Sequence, residues 1–308
     1  MSITAIGAAT TFPLMRRKWP TDLGLQLRMF LTLALLGAIY LGFLTVLYWM
    51  GVNPTMMMII AAGMLGIQYF FSDKLVLAAT GAKIVSPEQA PELHGIVDRL
   101  CAEAGLPKPR VAIVSSEVPN AFATGRSKRH SVIAATTGLM KRLNREELQA
   151  VLAHELSHVR NRDVAVITIA SFLSTVAYFF LSSFMFGGMH GGRDRRGGGG
   201  LILVYIVSLF VYISSLLLTR LLSRYRELAA DRGSAIITGR PEALISALLK
   251  ISGVMDRMPK RDLRAEQGMN QFFIVPALTG ESIMDLFSTH PSLEKRIRQL
   301  EKMAQTMR

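Results

Sequence analysis

A single cysteine in 308 residues leaves no possibility of an intrachain disulfide. Cys101 shares helical spacing with Leu93, Ile96, Val97, Leu100 and Ala104, which marks it as a core side chain rather than a nucleophile. The water-exposed part is therefore expected to face a reducing compartment. Charge is also scarce: Asp, Glu, Lys and Arg make up 19% of the chain, against about a quarter in ordinary soluble domains. With 50% hydrophobic residues and a mean hydropathy of +0.34, the composition reads as a membrane protein with a substantial aqueous portion. Acids are outnumbered, giving a net charge of +13, but the basic residues are scattered among them and no aromatic–basic binding motif appears. That argues against a nucleic-acid partner, and anionic lipid head groups account for the excess more simply.

What the sequence does have is long uncharged runs. Phe30 to Met50 is 21 residues without a charge, enough to cross about 30 Å of hydrocarbon and too long for a signal-peptide core. After the turn Gly51-Val52-Asn53-Pro54, Thr55 to Ser72 runs apolar again, so the pair reads as a transmembrane hairpin with Tyr48, Trp49, Tyr69 and Phe70 as interfacial anchors. Val164 to Phe186 and Leu201 to Thr219 form a second hairpin around a glycine-rich loop, making four transmembrane helices in all. Parity then places residues 74–163 and 220–308 on one side of the membrane, and the basic flank Arg16, Arg17, Lys18 and Arg28 makes that side cytoplasmic. The glycine loop is itself net +2, so the second hairpin is expected to sit tilted or only partly inserted. The expected division is an N-terminal segment 1–28, hairpins 29–73 and 164–219, and a water-facing domain in two parts, 74–163 and 220–308.

Within the first part, Pro91 to Ala104 has the pattern of an amphipathic helix closed by Gly105 and stopped by Pro107. Val111 to Val114, Asn120 to Thr124 and Ser131 to Ala135 read as strands, the last two joined by a polar turn. A small sheet thus leads into a helix carrying His154-Glu155-Leu156-Ser157-His158. Its start is well specified, because Asn144 and Glu147 have capping-box spacing. Positions four apart share a helix face, so His154 and His158 can present two imidazoles to one ion with Glu155 beside them, the layout of a zinc hydrolase. By composition alone H-E-x-x-H would arise with a probability of about half a per cent. The competing reading is an amphipathic helix with two surface histidines.

A catalytic zinc commonly takes two His and one Glu and keeps one position for water. In Arg224-Tyr225-Arg226-Glu227-Leu228-Ala229-Ala230-Asp231 two carboxylates lie four apart, with Glu227 suited to be the third ligand and Asp231 to accept the free ring N–H of a liganding histidine. Pairing of these acids with Arg224, Arg226 and Arg232 is the alternative. Position along the chain favours the site: His158 lies 6 residues before the third apolar segment and Glu227 lies 8 after Thr219, so both stand at similar heights above the membrane.

His154 to His158 followed by Glu227-Leu228-Ala229-Ala230-Asp231, bracketing a hydrophobic hairpin, resembles the HtpX family of membrane zinc proteases, relatives of the CAAX prenyl endopeptidase. The resemblance extends to Pro119-Asn120-Ala121-Phe122-Ala123 and to Thr289-His290-Pro291-Ser292. It implies an α+β membrane protein with a mostly helical, gluzincin-like catalytic domain, and one Zn2+ per chain bound by His154, His158 and Glu227. It further implies Glu155 as general base and proton donor, Asp231 orienting a ligand, His290 stabilising the oxyanion or contacting substrate, and Asn120, Ala121, Phe122 and Ala123 as an edge strand that pairs with substrate. For His290 the competing role is a cap on the last helix, and for Phe122 a place in the core. Arg296, on that last helix, is a further candidate to brace the site.

The reading is an integral, multi-pass membrane endopeptidase of a bacterial-type plasma membrane. It would take unfolded or misfolded polypeptides as substrates, in the context of membrane protein quality control and stress response. Two competitors stand beside it: an intramembrane metalloprotease and a non-enzymatic membrane scaffold with a structural metal. Charged and polar residues around the motif, Asn144 to Glu147, Arg160 and Arg162, argue for a water-facing site.

Overall fold

The computed structural model describes residues 23–49, 53–187, 198–255 and 291–307. His290, residues 1–22 and most of the glycine-rich loop lie outside these. Two helices come first, α1 (Leu23–Trp49) and α2 (Pro54–Thr80). A four-stranded sheet with intervening helices follows: β1 (Lys83–Ile84), α3 (Pro91–Ala104), β2 (Arg110–Val114), β3 (Ala121–Ser127) and β4 (His130–Thr136). Then come α4 (Thr137–Arg142), α5 (Arg145–Asn161), α6 (Asp163–Gly187), α7 (Gly198–Thr238), α8 (Pro241–Met255) and α9 (Leu293–Met307).

Three helices are long and apolar enough to cross a membrane, within Leu23–Trp49, Asp163–Ser182 and Ile202–Thr238. In α2 the apolar stretch among the described residues is shorter, Ala62–Phe71, so the structure supports three of the four expected spans by length and composition. Phe43, Leu47, Leu173, Ala177, Val211 and Leu222 pack α1, α6 and α7 together. Their other faces leave Leu31, Leu41, Ile169, Ile206 and Phe210 more than half exposed. Large apolar side chains on the outside of a helical bundle are suited to lipid rather than water.

The aqueous part is built around α5. Its N-terminus carries the capping box: the Asn144 side chain accepts the Glu147 N–H and the Glu147 carboxylate accepts the Asn144 N–H, both at 2.9 Å. Leu148, Val151, Leu152 and Leu156 are all but inaccessible to solvent and pack against α3, the sheet and α8. At about 1.5–3 kcal/mol for each large side chain buried, this stripe fixes the helix rotation and hence where its polar residues point.

The sheet order is β1-β2-β4-β3, with β2 and β4 parallel and the outer pairs antiparallel. β3 is thus an edge strand. Thr136 N–H donates to the Asn120 carbonyl at 2.9 Å, and the register pairs Phe122 with Ala134 and Ala123 with Ile133. Antiparallel alternation therefore turns the N–H and C=O of Ala121 and Ala123 away from β4.

The main departure from the expected layout concerns the fourth apolar segment. It does not stop at the membrane boundary: α7 runs unbroken for 41 residues, from the membrane portion through the Arg224–Asp231 stretch.

Candidate metal centre and active site

α5 and α7 meet where α5 presents His154 and His158 and α7 presents Glu227. The two Nε2 atoms lie 3.2 Å apart. Glu227 Oε2 is 3.5 Å from His154 Nε2, and its Oε1 is 3.4 Å from His158 Nε2. Four ligands at about 2.0–2.1 Å around a tetrahedral zinc lie about 3.3–3.4 Å from one another, so these three donors already have the spacing of one ion's coordination shell. All three are of the residue types zinc takes, and His154 at 1% and Glu227 at 7% exposed are buried while His158 is partly open, so the site is largely but not wholly screened from water. The residues fit a metal.

Each imidazole has a carboxylate behind it. His154 Nδ1 lies 3.0 Å from Asp231 Oδ1, and His158 Nδ1 lies 2.6 Å from Asp163 Oδ2. A carboxylate at Nδ1 keeps the proton on that nitrogen and leaves the Nε2 lone pair facing the centre. Each carboxylate is in turn held by an arginine. Arg296 of α9 donates from Nε and Nη2 to Asp231 at 2.8 and 2.6 Å, and its Nη1 is 3.8 Å from Glu227. Arg226 pairs with Asp163 and also donates to the Asn161 carbonyl at 2.8 Å.

Electrostatics follow from this packing. Burial opposes charge on both imidazoles, but Asp231 and Glu227 raise the pKa of His154, and Glu227 and Glu155 raise that of His158. A site that draws positive charge to its histidines is one in which a cation is favoured. Glu155 is 5% exposed, and burial drives its carboxyl pKa up more than the two imidazoles hold it down. The Ala123 N–H is directed to this carboxylate, so the outward edge of β3 faces the candidate base. Burial likewise opposes charge on Arg296, yet Asp231, Glu227 and Glu155 more than compensate and raise its pKa.

The residues expected from the sequence therefore assemble in part. His154, His158, Glu155, Glu227, Asp231 and Arg296 converge, with the backbone of Ala123 beside them. The Phe122 side chain turns the other way, into a small core with Ala112, Val114, Val132 and Ala134 against α2. Asn120 is buried at the start of the strand, its N–H bonded to Thr136 Oγ1 at 2.9 Å. Asp163 and Arg226 were not picked out for the site. In the sequence Asp163 is only the last residue before the third apolar segment, and Arg226 reads as a partner for Glu227 or Asp231. The available signal was the five-residue step from His158 to Asp163, which only a turn between helices brings into contact.

Residues 87–304 match peptidase family M48. The chain is 60% identical over 294 residues to "Protease HtpX homolog 2" of Methanosarcina acetivorans, covering 95% of this chain and 100% of that one. It is 58% identical over 295 residues to "Protease HtpX homolog" of Moorella thermoacetica, covering 95% and 99%. The crystal structure of S. mikatae Ste24p has a similar fold, with a TM-score of 0.55 at 18% identity over 91% of this chain and 67% of that one.

Proposed function

The chain belongs to peptidase family M48, an integral membrane protease by family and helix composition, and from that premise we propose that it is a zinc-dependent endopeptidase. It binds one zinc through His154, His158 and Glu227, and cleaves unfolded segments of damaged membrane proteins at the cytoplasmic face. The observation that carries this reading is the convergence of three donors at 3.2 to 3.5 Å with Glu155 next to them on the same helix. When bound, the metal polarises the scissile carbonyl and lowers the pKa of a coordinated water towards about 7.

The rest is work for the chain's own side chains. Glu155, with its pKa raised by burial, accepts the proton of the attacking water and hands it to the departing amine. Asp231 and Asp163 hold the two imidazoles with Nε2 inward. The outward edge of β3 receives an extended peptide through main-chain hydrogen bonds, selecting for unfolded chain over any particular sequence. Asn120 anchors the start of that strand and Phe122 secures it from beneath, so these two support the peptide-binding edge without side-chain contact to substrate. His290 is proposed as the group that stabilises the oxyanion. α2 is the fourth span, completing a first hairpin with α1, and both parts of the aqueous domain stand on one side of the membrane.

Glu155→Gln tests the reading. The variant is expected to retain zinc while cleavage of an unfolded protein falls by about 10²- to 10⁴-fold. Undiminished cleavage would remove Glu155 from the mechanism, and wild-type protein with zinc but without any cleavage would point to a structural metal.

A further inference from the structure

We propose that Asp163 is a positioning residue for His158, and that Asp163 is itself set by the docking of α6 against α7, so that metal affinity and membrane-helix packing form one coupled equilibrium. The proposal rests on the reading of His158 as a metal ligand given above.

Asp163 is the first residue of α6 and is 5% exposed. It reaches His158 because the chain between α5 and α6 turns at Arg162, which has φ 57° and ψ 40°. This is the one non-glycine residue with positive φ among those described. That left-handed residue lets a membrane helix begin immediately after α5 ends and folds its first side chain back towards the motif. The result is a 2.6 Å contact between Asp163 Oδ2 and His158 Nδ1. On its far side Asp163 meets Arg226 of α7, 6% exposed, which also takes the Asn161 carbonyl in the last turn of α5 at 2.8 Å. Arg226 thus touches both the end of α5 and the start of α6, and its neighbour in sequence is the ligand Glu227.

The two histidines differ in where their supports come from. His154 is supported by Asp231, on the same helix α7 as Glu227 and Arg226, and by Arg296 of α9, so its supports come from α7 and α9 rather than α6. His158 is supported by the first residue of one membrane helix and by an arginine on the other. Thr219 Oγ1 of α7 donates to the Ala170 carbonyl of α6 at 3.2 Å, so the packing of these two helices continues from the site into the apolar bundle. A slide of α6 along α7 displaces Asp163 from Arg226 and takes the orienting contact away from His158, whereas His154 is untouched. By linkage, whatever α6–α7 docking contributes to metal affinity, bound metal returns to α6–α7 docking.

The test uses the full chain in detergent. Zinc affinity is measured by chelator competition and the ligand field by the visible spectrum of the Co2+-substituted protein, for wild type, Asp163→Ala, Asp163→Asn and Arg226→Gln. Loss of a carboxylate behind a liganding histidine is expected to weaken zinc about 10- to 100-fold and to change the Co2+ spectrum. Arg226→Gln should move both readouts in the same direction, and Arg226→Lys should recover part of the loss. Hydrogen exchange over residues 158–166 should slow on zinc binding in wild type and lose that response in Asp163→Ala. Should the alanine protein fail to fold, the nearly isosteric Asp163→Asn protein decides by the same readouts. Wild-type zinc affinity and an unchanged Co2+ spectrum in a folded Asp163 variant would overturn the proposal, reducing the pair to a staple between helices. Wild-type protein that takes no zinc would instead overturn the reading of the site itself.

Discussion

Replacing Arg296 by methionine should be among the most costly single changes available in this protein. Arg296 is 1% exposed and forks onto Asp231, which is 0% exposed, at 2.8 and 2.6 Å. Methionine keeps the unbranched apolar stem but leaves the Asp231 carboxylate buried without its guanidinium. Breaking a buried ion pair from one side costs about 3–5 kcal/mol, and the full exclusion of both partners from water means no discount for screening. At about 2–4 °C per kcal/mol, the apparent melting temperature in detergent should fall by about 6–20 °C. Arg296→Lys restores the charge but not the two parallel hydrogen bonds, and should cost about half as much. Asp231→Asn combined with Arg296→Met should cost less than the two single changes added together, since the orphaned charge is then gone. Thermal unfolding of wild type and the four variants, Asp231→Asn alone included, measures all of this. A loss below about 1 kcal/mol in Arg296→Met, with the single changes simply additive, would refute the claim that the fork holds Asp231 in place.

Two other predictions concern separate parts of the structure. Ala123→Pro removes an N–H directed at Glu155 on the side of the strand facing away from β4, where proline does not disturb the β4 ladder. Cleavage of an unfolded substrate should drop at least about tenfold with zinc content unchanged, and unaffected cleavage would dissociate β3 from the active site. Glu147 titrates below its ordinary value of 4.5, because Lys250, Ser246 and the Asn144 N–H outweigh the opposing effect of burial. Its stabilising contribution is therefore complete above pH 4.5 and is lost as pH falls through the depressed native value. Since Lys250 is half exposed, the stability gap between wild type and Lys250→Met should be about 1 kcal/mol or less at pH 7 and should narrow below pH 4.5. A gap that widens on acidification would contradict the assignment.

The local parts of this architecture were legible in the sequence because their signals are local. Asn144 and Glu147 announce the start of α5 three residues apart, Gly105 and Pro107 announce the end of α3, and the four-residue step in H-E-x-x-H fixes a shared face. Glu227 was reachable by the same step to Asp231, together with the chemistry of zinc. The partners behind the ligands were not, because nothing local marks them. Arg296 and Asp231 are 65 positions apart, and so are Arg226 and the Asn161 carbonyl. The arginines near Glu227 and Asp231 invited pairing with those acids along one helix, whereas Arg226 turns to Asp163 and Asp231 takes Arg296 from α9. Glu147 is legible as a capping residue, but its bonds to Ser246 and Lys250 of α8 depend on tertiary packing. The continuity of α7 is hidden because hydropathy falls at Arg220 while helix propensity does not.

Whether His154, His158 and Glu227 hold one zinc is decided by X-ray absorption at the zinc edge of the purified protein. About one zinc per chain is expected, with a first shell of nitrogen and oxygen at about 2.0–2.2 Å, imidazole scattering from two histidines, and loss of the metal in Glu227→Ala. Protein purified and reconstituted without zinc, a shell with sulfur at about 2.3 Å, or a spectrum unchanged in Glu227→Ala would contradict this ligand assignment.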